Sequence, residues 1–390
     1  MTHLPPILTF VGFYLPGYKA GGPIQSVANL VEHLGAQFNF RIVTRDRDAG
    51  DATPYPAIAH SCWQAVGNAQ VCYMRPAVQM PLITASLMRR TPHDLLYLNS
   101  FFDWRSSVLP LLVRHMGLAP RKPVVLAPRG EFSQGALALK SGKKRAFLSA
   151  SKTMGLHREI LWHASSKHEA EDIRAIFGSS QEIHIASDLP RTVQAGLSHE
   201  PRPPAAPLRI VFLSRISPKK NLTFALEVLR NVKVPVNFSI IGPIGDLTYW
   251  KECEARIAEL PTHIKATYDG IVAAEQVPKV MAQNDMFFLP TLGENFGHVI
   301  IEALGAGTPA LISDQTPWRD FDAEGCGWVL PLREARAFAD RIHAAFRESP
   351  ADNAKRRSAA LRFARRFGSD SSVVDDNRNL FLRAVAKRAG

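Results

Sequence analysis

Apolar residues along the chain gather into short uninterrupted runs, separated by longer stretches with helical spacing. The first run, residues 7–12, reads as a strand buried on both faces. A Gly-rich turn follows, and residues 23–34, opened by Pro23, read as a helix with proline at an early position. Further strand candidates lie at residues 40–44, 95–98, 124–127, 160–164 and 183–185, with room between most of them for crossover helices. Alternation of this kind predicts a parallel α/β sheet.

Residues 201–207 then read Pro-Arg-Pro-Pro-Ala-Ala-Pro, whose fixed φ angles and missing donors suit a stiff linker. A second series of strands is expected at residues 208–214, 236–242, 264–268, 286–289 and 310–313. The expected organisation is two doubly wound domains, residues 1–200 and 208–390, with a C-terminal helix able to pack back on the first. A length of 390 residues agrees with two cores. Ligands of such sheets bind outside the carboxyl ends of the strands, so two facing domains would form a cleft for two substrates.

Composition adds little until the charge is located. Hydrophobic residues make up 46% and charged residues 21%, as in an ordinary globular protein. No run is long and apolar enough for a membrane span, and the first residues lack a signal-peptide pattern, so a cytoplasmic protein is expected. Cys62, Cys72, Cys253 and Cys326 form no C-x-x-C pair and read as reduced structural thiols. The formal charge of +12 is concentrated in residues 121–158, which hold nine Lys or Arg against one acid, Glu131. Within that segment, Lys140, Lys143, Lys144 and Arg145 would favour an anionic membrane or a lipid diphosphate, or else form a solvated helix face. No zinc-finger spacing or aromatic RNA-binding motif is present, so nucleic acid is not an expected partner.

The chemistry concentrates in the second half. In residues 289–304 a strand runs into a turn and then a helix, with Glu294 and Glu302 eight positions apart. On one helix that spacing gives about 80° of offset and about 12 Å of rise, so one acid belongs in the loop and the other in the helix. Asn295, Phe296 and Gly297 fall near the first helical turn, where backbone N–H groups and the helix dipole favour a sugar diphosphate. Residues 213–222 read Leu-Ser-Arg-Ile-Ser-Pro-Lys-Lys-Asn-Leu and follow the first strand of the second series.

Together with residues 293–309 and 313–318, these motifs resemble the family-4 glycosyltransferases, whose hallmark is an E-x7-E motif in the C-terminal domain. The resemblance implies the GT-B architecture of two Rossmann-like domains and a retaining, metal-independent hexosyltransferase acting in cell-envelope or exported-polysaccharide synthesis. It implies that Arg215 and Lys220 hold the donor diphosphate, that Glu294 contacts the sugar hydroxyls and that Glu302 accepts the ribose hydroxyls. The backbone of residues 295–297, with Val299, would line the donor pocket, and Gly242 would border the nucleotide. The donor would be UDP- or GDP-linked, the acceptor a glycan or lipid-linked oligosaccharide, and no cofactor or metal is expected.

In the first domain, residues 12–23 look like the Gly-rich loop of that family, in which Gly21 and Gly22 let backbone approach a ligand. Arg129 and Glu131 follow a buried strand and are candidates for the acceptor side. Many members carry a histidine at that strand end, and this chain has Arg129-Gly130 there, which leaves the catalytic base open. His93, His157, His163 and His168 read as structural, and residues 166–169 as a capping box. Asp46-Arg47-Asp48 resembles a D-x-D metal clamp but is read as surface acids in a loop. Residues 305–310 fit a dinucleotide glycine pattern in the wrong strand–helix order. The rival functions are a nucleotide-sugar epimerase of the same architecture, a nicotinamide-dependent oxidoreductase and a non-catalytic binding subunit.

Overall fold

The computed structural model describes residues 4–56, 58–133, 136–137, 141–192, 196–203 and 205–387. The chain divides into two compact units, Met1–Leu189 joined by Ser371–Gly390, and Pro190–Asp370. The sequence reading put the boundary at the prolines of residues 201–207, but this stretch is tied into the second unit. Arg202 donates to the Phe346 carbonyl, at 2.7 Å through Nη2, and stacks on the Phe346 ring. His199 bonds the Ala282 carbonyl and Leu197 packs on the same core. Pro204 of that stretch lies outside the described residues.

The first unit is built on strands β1 (Pro6–Phe10), β2 (Asn39–Arg45), β3 (Trp63–Val66), β4 (Ala69–Met74), β5 (Leu95–Asn99), β6 (Val124–Ala127), β7 (Ile160–Ala164) and β8 (Ile183–Ile185). Their order is β3-β4-β2-β1-β5-β6-β7-β8, parallel except for β3. Six of the eight strands were expected from the sequence, β1, β2, β5, β6, β7 and β8. The β3–β4 hairpin was not, because its outer strand alternates with exposed positions and carries no apolar run. Its signal is the two-residue connection Gly67-Asn68 between the paired Val66 and Ala69.

Helices cover both faces of this sheet. On one face, Val27, Leu30, Val31 and Leu34 of the helix Gly22–Leu34 join Leu380, Phe381 and Ala384 of the last helix, Ser371–Ala386. Phe381 meets Phe38, Phe40 and Tyr97 edge-on, with centroids 5.2–5.9 Å apart. The other face is covered by the helices Pro81–Arg90, Leu109–His115 and Lys167–Phe177.

The second unit has strands β9 (Leu208–Leu213), β10 (Val236–Ile241), β11 (Ile264–Tyr268), β12 (Met286–Leu289), β13 (Ala310–Ser313) and β14 (Gly327–Leu330). All pairs are parallel in the order β11-β10-β9-β12-β13-β14. Numbered within the unit this is 3-2-1-4-5-6, the doubly wound order whose direction reverses between β9 and β12. Strand β14 was not anticipated. Among the described residues no helix is long and apolar enough to cross a membrane.

Candidate active site

In an open parallel sheet the loops on either side of the reversal separate at the carboxyl edge and leave a ligand crevice. The two loops here follow β9 and β12, and they carry the residues singled out from the sequence. After β9 the chain keeps pairing with the end of β10: Ser214 N donates to Ile241 O and Ile216 N to Pro243 O, at 3.0 and 2.9 Å. Gly242 has φ +137, and a Cβ there would lie 2.0 Å from the Ser214 carbonyl oxygen. Only glycine permits this approach. A Cβ on Gly245 would come 2.7 Å from Arg215 Cδ, so this second glycine makes room for the Arg215 stem.

A short 3-10 turn, Pro218–Lys220, then places Asn221 at φ +60 before the helix Leu222–Arg230. The Lys219 carbonyl accepts from Leu292 N at 2.8 Å and from Thr291 Oγ1 at 3.1 Å. The buried Thr291 also bonds Gly293, and its own carbonyl accepts from Ser313 Oγ at 2.6 Å. The loops after β9 and β12 are therefore fastened to each other. Across that junction Lys220 Nζ forms an ion pair with Glu294 Oε1, while Glu294 N donates to Gln315 O. An ammonium has three donors, so two remain for an anionic ligand.

Glu294 lies in the loop and Glu302 in the helix His298–Gly305, as the spacing argument anticipates. Gly297 starts that helix at φ +83 with no side-chain cap. Asn295 is half-buried, and Val299 packs partly on the core. Phe296 is an anchor: its ring is buried against His298, Trp318 and Phe367, and its carbonyl accepts from Trp318 Nε1 at 2.7 Å. What it offers a ligand is backbone position, not its ring.

The half-buried Glu302 makes no hydrogen bond through its side chain among the described residues. Burial pushes its carboxyl up, and the neighbouring His298 and Arg191 oppose that shift. Neither residue was picked out from the sequence. His298 stands four positions before Glu302 on one helix face, a spacing that could have revealed it. Arg191 comes from more than a hundred residues upstream, and its Nη1 is oriented by the Ala274 carbonyl at 3.0 Å. An acid held in such surroundings is suited to accept hydroxyl groups.

In the first unit two expectations are corrected. Arg129 and Glu131, expected to meet a ligand from the acceptor side, are committed internally. Arg129, at φ +58, is buried and donates to Asn99 Oδ1, Tyr97 Oη and Asp188, and Asp188 also accepts from Ser26 at 2.8 Å. Burial pulls the Arg129 guanidinium down, but Asp188 and neighbouring groups outweigh it, so its charge is held firmly. Glu131 accepts from Ser100 Oγ at 2.6 Å and from the N–H groups of Phe101 and Phe102 at 2.6 and 3.0 Å. Burial raises its pKa against those hydrogen bonds. Both residues shape the loops after β5 and β6.

Asp46 and Asp48 are likewise buried rather than surface acids. Asp48 accepts from the N–H groups of Tyr18, Lys19 and Ala49 at 2.7, 3.0 and 2.7 Å, and so organises the loop before Gly21 and Gly22. Gly21, at φ +71, caps the helix that begins at Gly22, with no side-chain hydrogen bond. The capping box at residue 166 is half formed. Ser166 accepts from Glu169 N, whereas the Glu169 carboxylate goes to Ser165 and Gly130 N. Lys140 of the basic run lies outside the described residues. Among the described residues no three His, Cys, Asp or Glu side chains are grouped so as to hold a metal.

The junction of the β9 and β12 loops falls inside the stretch that comparison with known proteins identifies. Residues 198–362 match the family model of glycosyl transferases group 1. The matched stretch takes in both loops, Glu302 and the whole of β9 to β14. Over 360 residues, 89% of each chain, the protein is 24% identical to the GDP-mannose:cellobiosyl-diphosphopolyprenol alpha-mannosyltransferase of Xanthomonas campestris. It is 30% identical to the phosphatidyl-myo-inositol mannosyltransferase of Mycobacterium leprae over 144 residues, which are 35% of this chain and 37% of that protein. The structure of Anabaena HepE in complex with UDP-glucose superposes with a TM-score of 0.69 at 18% identity, covering 98% of this chain and 99% of that one. The fold is thus the GT-B pair of Rossmann-like units.

Proposed function

We propose that this chain is a retaining glycosyltransferase that moves a hexose from a UDP- or GDP-linked donor to a glycan or lipid-linked oligosaccharide, without a metal. The observation that carries the proposal is the junction at the reversal of the second sheet, where Lys220 of the loop after β9, which also carries Arg215, pairs with Glu294 of the loop after β12, inside the stretch that matches the glycosyl transferases group 1 model. An acceptor hydroxyl oxygen forms a bond to the anomeric carbon while the bond from that carbon to the diphosphate oxygen breaks. The hydroxyl proton passes to the departing phosphate oxygen, on the same face of the sugar. Arg215 and Lys220 meet the charge that develops there, a contribution of about 2.7–4 kcal/mol for one such donor. Glu294 steadies Lys220 and accepts sugar hydroxyls, and Glu302 accepts those of the ribose. Relatives named for acceptors on a diphosphopolyprenol and on phosphatidyl-myo-inositol support a lipid-borne acceptor.

The test is a panel of UDP-, GDP- and ADP-hexoses with lipid-linked and soluble acceptors, in EDTA and in Mg²⁺. Proton NMR of the product would follow the anomeric configuration. Transfer with retention, equal in both buffers, is expected. Inversion, a requirement for Mg²⁺, or donor conversion without an acceptor would each overturn a stated part of the reading.

A further inference from the structure

Ligands of a parallel sheet ordinarily meet the carboxyl ends of its strands. The first unit also has a cavity at the opposite end, where β7 and β8 begin: Ile160 opens β7, and Glu182 directly precedes β8. Its volume is about 530 Å³, within the roughly 300–1,000 Å³ of small-molecule sites. One wall is the end of the helix Ser141–Thr153 with the turn of residues 155–159. The other is Phe177, which ends the helix Lys167–Phe177, with residues 180–182.

The acids and the amide around this cavity are already engaged. Gln181 accepts from Trp162 Nε1 at 3.0 Å and donates to the Phe177 carbonyl at 3.3 Å. Glu182 is neutralised by Arg383, at 2.9 Å, and by Lys387, neither of which lines the cavity. Glu159, at φ +64, has a side chain 78% exposed and pairs with Arg114 at 3.6 Å. The two cations are placed differently. Lys152 and Arg158 are exposed, and no carboxylate pairs with either among the described residues. Lys152 Nζ spends one of its three donors on the Ile176 carbonyl and lies 5.4 Å over the Phe177 ring. A Cβ on Gly155, at φ +63, would come 3.0 Å from Arg158 Nε and 3.2 Å from its Cδ, so glycine lets the Arg158 side chain fold back across the turn. Gly245 makes room in the same way for Arg215 in the second unit. His157 also lines the cavity. It is 8% exposed, its Nδ1 has no partner, and its ring lies 5.2 Å from that of Phe177.

An ammonium and a guanidinium with donors to spare suit a phosphate group, the first as a point charge and the second as a planar fork. Bare phosphate would leave most of the volume unfilled, whereas Phe177, His157 and Ile160 offer flat and apolar surface to an organic body attached to it. We infer that this cavity is a second ligand site, which takes a small phosphate monoester, either a sugar phosphate or a nucleoside monophosphate. Lys152 and Arg158 hold the phosphate, and the rest of the ester lies against Phe177 and His157. The site is contained in the first unit and shares no residue with the donor junction, so its test is independent of the glycosyltransferase reading.

That test is titration calorimetry of the full chain with glucose 6-phosphate, AMP and inorganic phosphate, on the wild type, Lys152→Gln/Arg158→Gln, Ser180→Trp and Lys220→Gln. At least one ester is expected to bind the wild type more tightly than inorganic phosphate does, and the better ester names the source. The double variant should lose about tenfold or more in affinity, since it removes two charged hydrogen-bond donors. Ser180→Trp, at an exposed position on the rim, should weaken the ester similarly by filling the cavity. Lys220→Gln should bind it as the wild type does. Thermal melts verify that the variants fold. A wild type that binds neither ester at millimolar concentration, or binds them no better than inorganic phosphate, overturns the inference. Undiminished binding by either cavity variant does so as well. Loss of binding in Lys220→Gln also overturns it, because the ester would then occupy the donor site.

Discussion

Glu294 and Glu302 meet different neighbours although the sequence sets them in one motif. Glu294 is held by Lys220 and by the loop after β13, whereas Glu302 sits on the helix near His298 and Arg191. Their substitutions should therefore separate. Glu302→Gln is expected to weaken binding of free nucleoside diphosphate by about 1.5–3 kcal/mol, the worth of a charged hydrogen bond. Glu294→Gln should leave that affinity nearly unchanged and lower turnover by about two orders of magnitude or more, because its contact strengthens in the transition state. Calorimetry with free nucleotide, beside turnover of intact donor, measures both. Equal losses of nucleotide affinity would mean that the two acids share one ligand.

A second test at this scale concerns His157 and His163. Burial pulls His157 down to about 4 and His163 to about 3, and Arg129 adds to the latter. In the unfolded chain a histidine titrates near 6.5. Below about pH 6.5 the unfolded state therefore binds more protons, so stability is full above that value and falls as the pH drops toward the folded pKa. His157 lies among Phe101, Trp162 and Phe177 with an unpartnered Nδ1, so phenylalanine should fit its place. His157→Phe should recover about 2 kcal/mol relative to wild type between pH 7.5 and pH 5. Denaturant melts of the first unit's transition at the two pH values test this, and parallel pH curves for the two proteins would refute it.

Among the elements, the loop of residues 12–21 depends on a group the sequence reading set aside. Asp48 accepts two N–H groups of that loop from a buried position at the end of β2. Asp48→Ala should raise amide exchange at Tyr18 and Lys19 while leaving the helix Gly22–Leu34 protected, and hydrogen-exchange mass spectrometry reads both. Unchanged exchange in the loop would show that other contacts order it. The element pattern explains what was legible. Strands β6 and β12 are unbroken apolar runs, and β1, β5 and β9 each carry a single polar residue, because both sheet faces are covered, and the two site loops follow directly from the ends of β9 and β12. The partners of Arg129 and Glu302 were hidden because Asp188 and Arg191 reach them across long stretches of chain. Asp48 was hidden because a buried acid serving backbone amides looks, as a string of letters, like a charged loop.

At the scale of the whole molecule, the chain leaves the first unit at Leu189 and returns at Ser371. The segment between them is continuous, so it can be excised as one piece, whereas no simple truncation yields the first unit. That unit keeps Leu380 and Phe381 completely buried against strands that lie more than 280 residues earlier in the chain. During synthesis the emerging polypeptide can fold its second unit first, since all of Pro190–Asp370 leaves the ribosome before the closing helix does. The first unit must wait with part of one sheet face uncovered, Phe38, Phe40 and Tyr97 lacking their partner until Phe381 has been translated and has emerged from the exit tunnel. Order of birth and order of completion are reversed in this protein, and the interval between them is when a chaperone would find the most to hold.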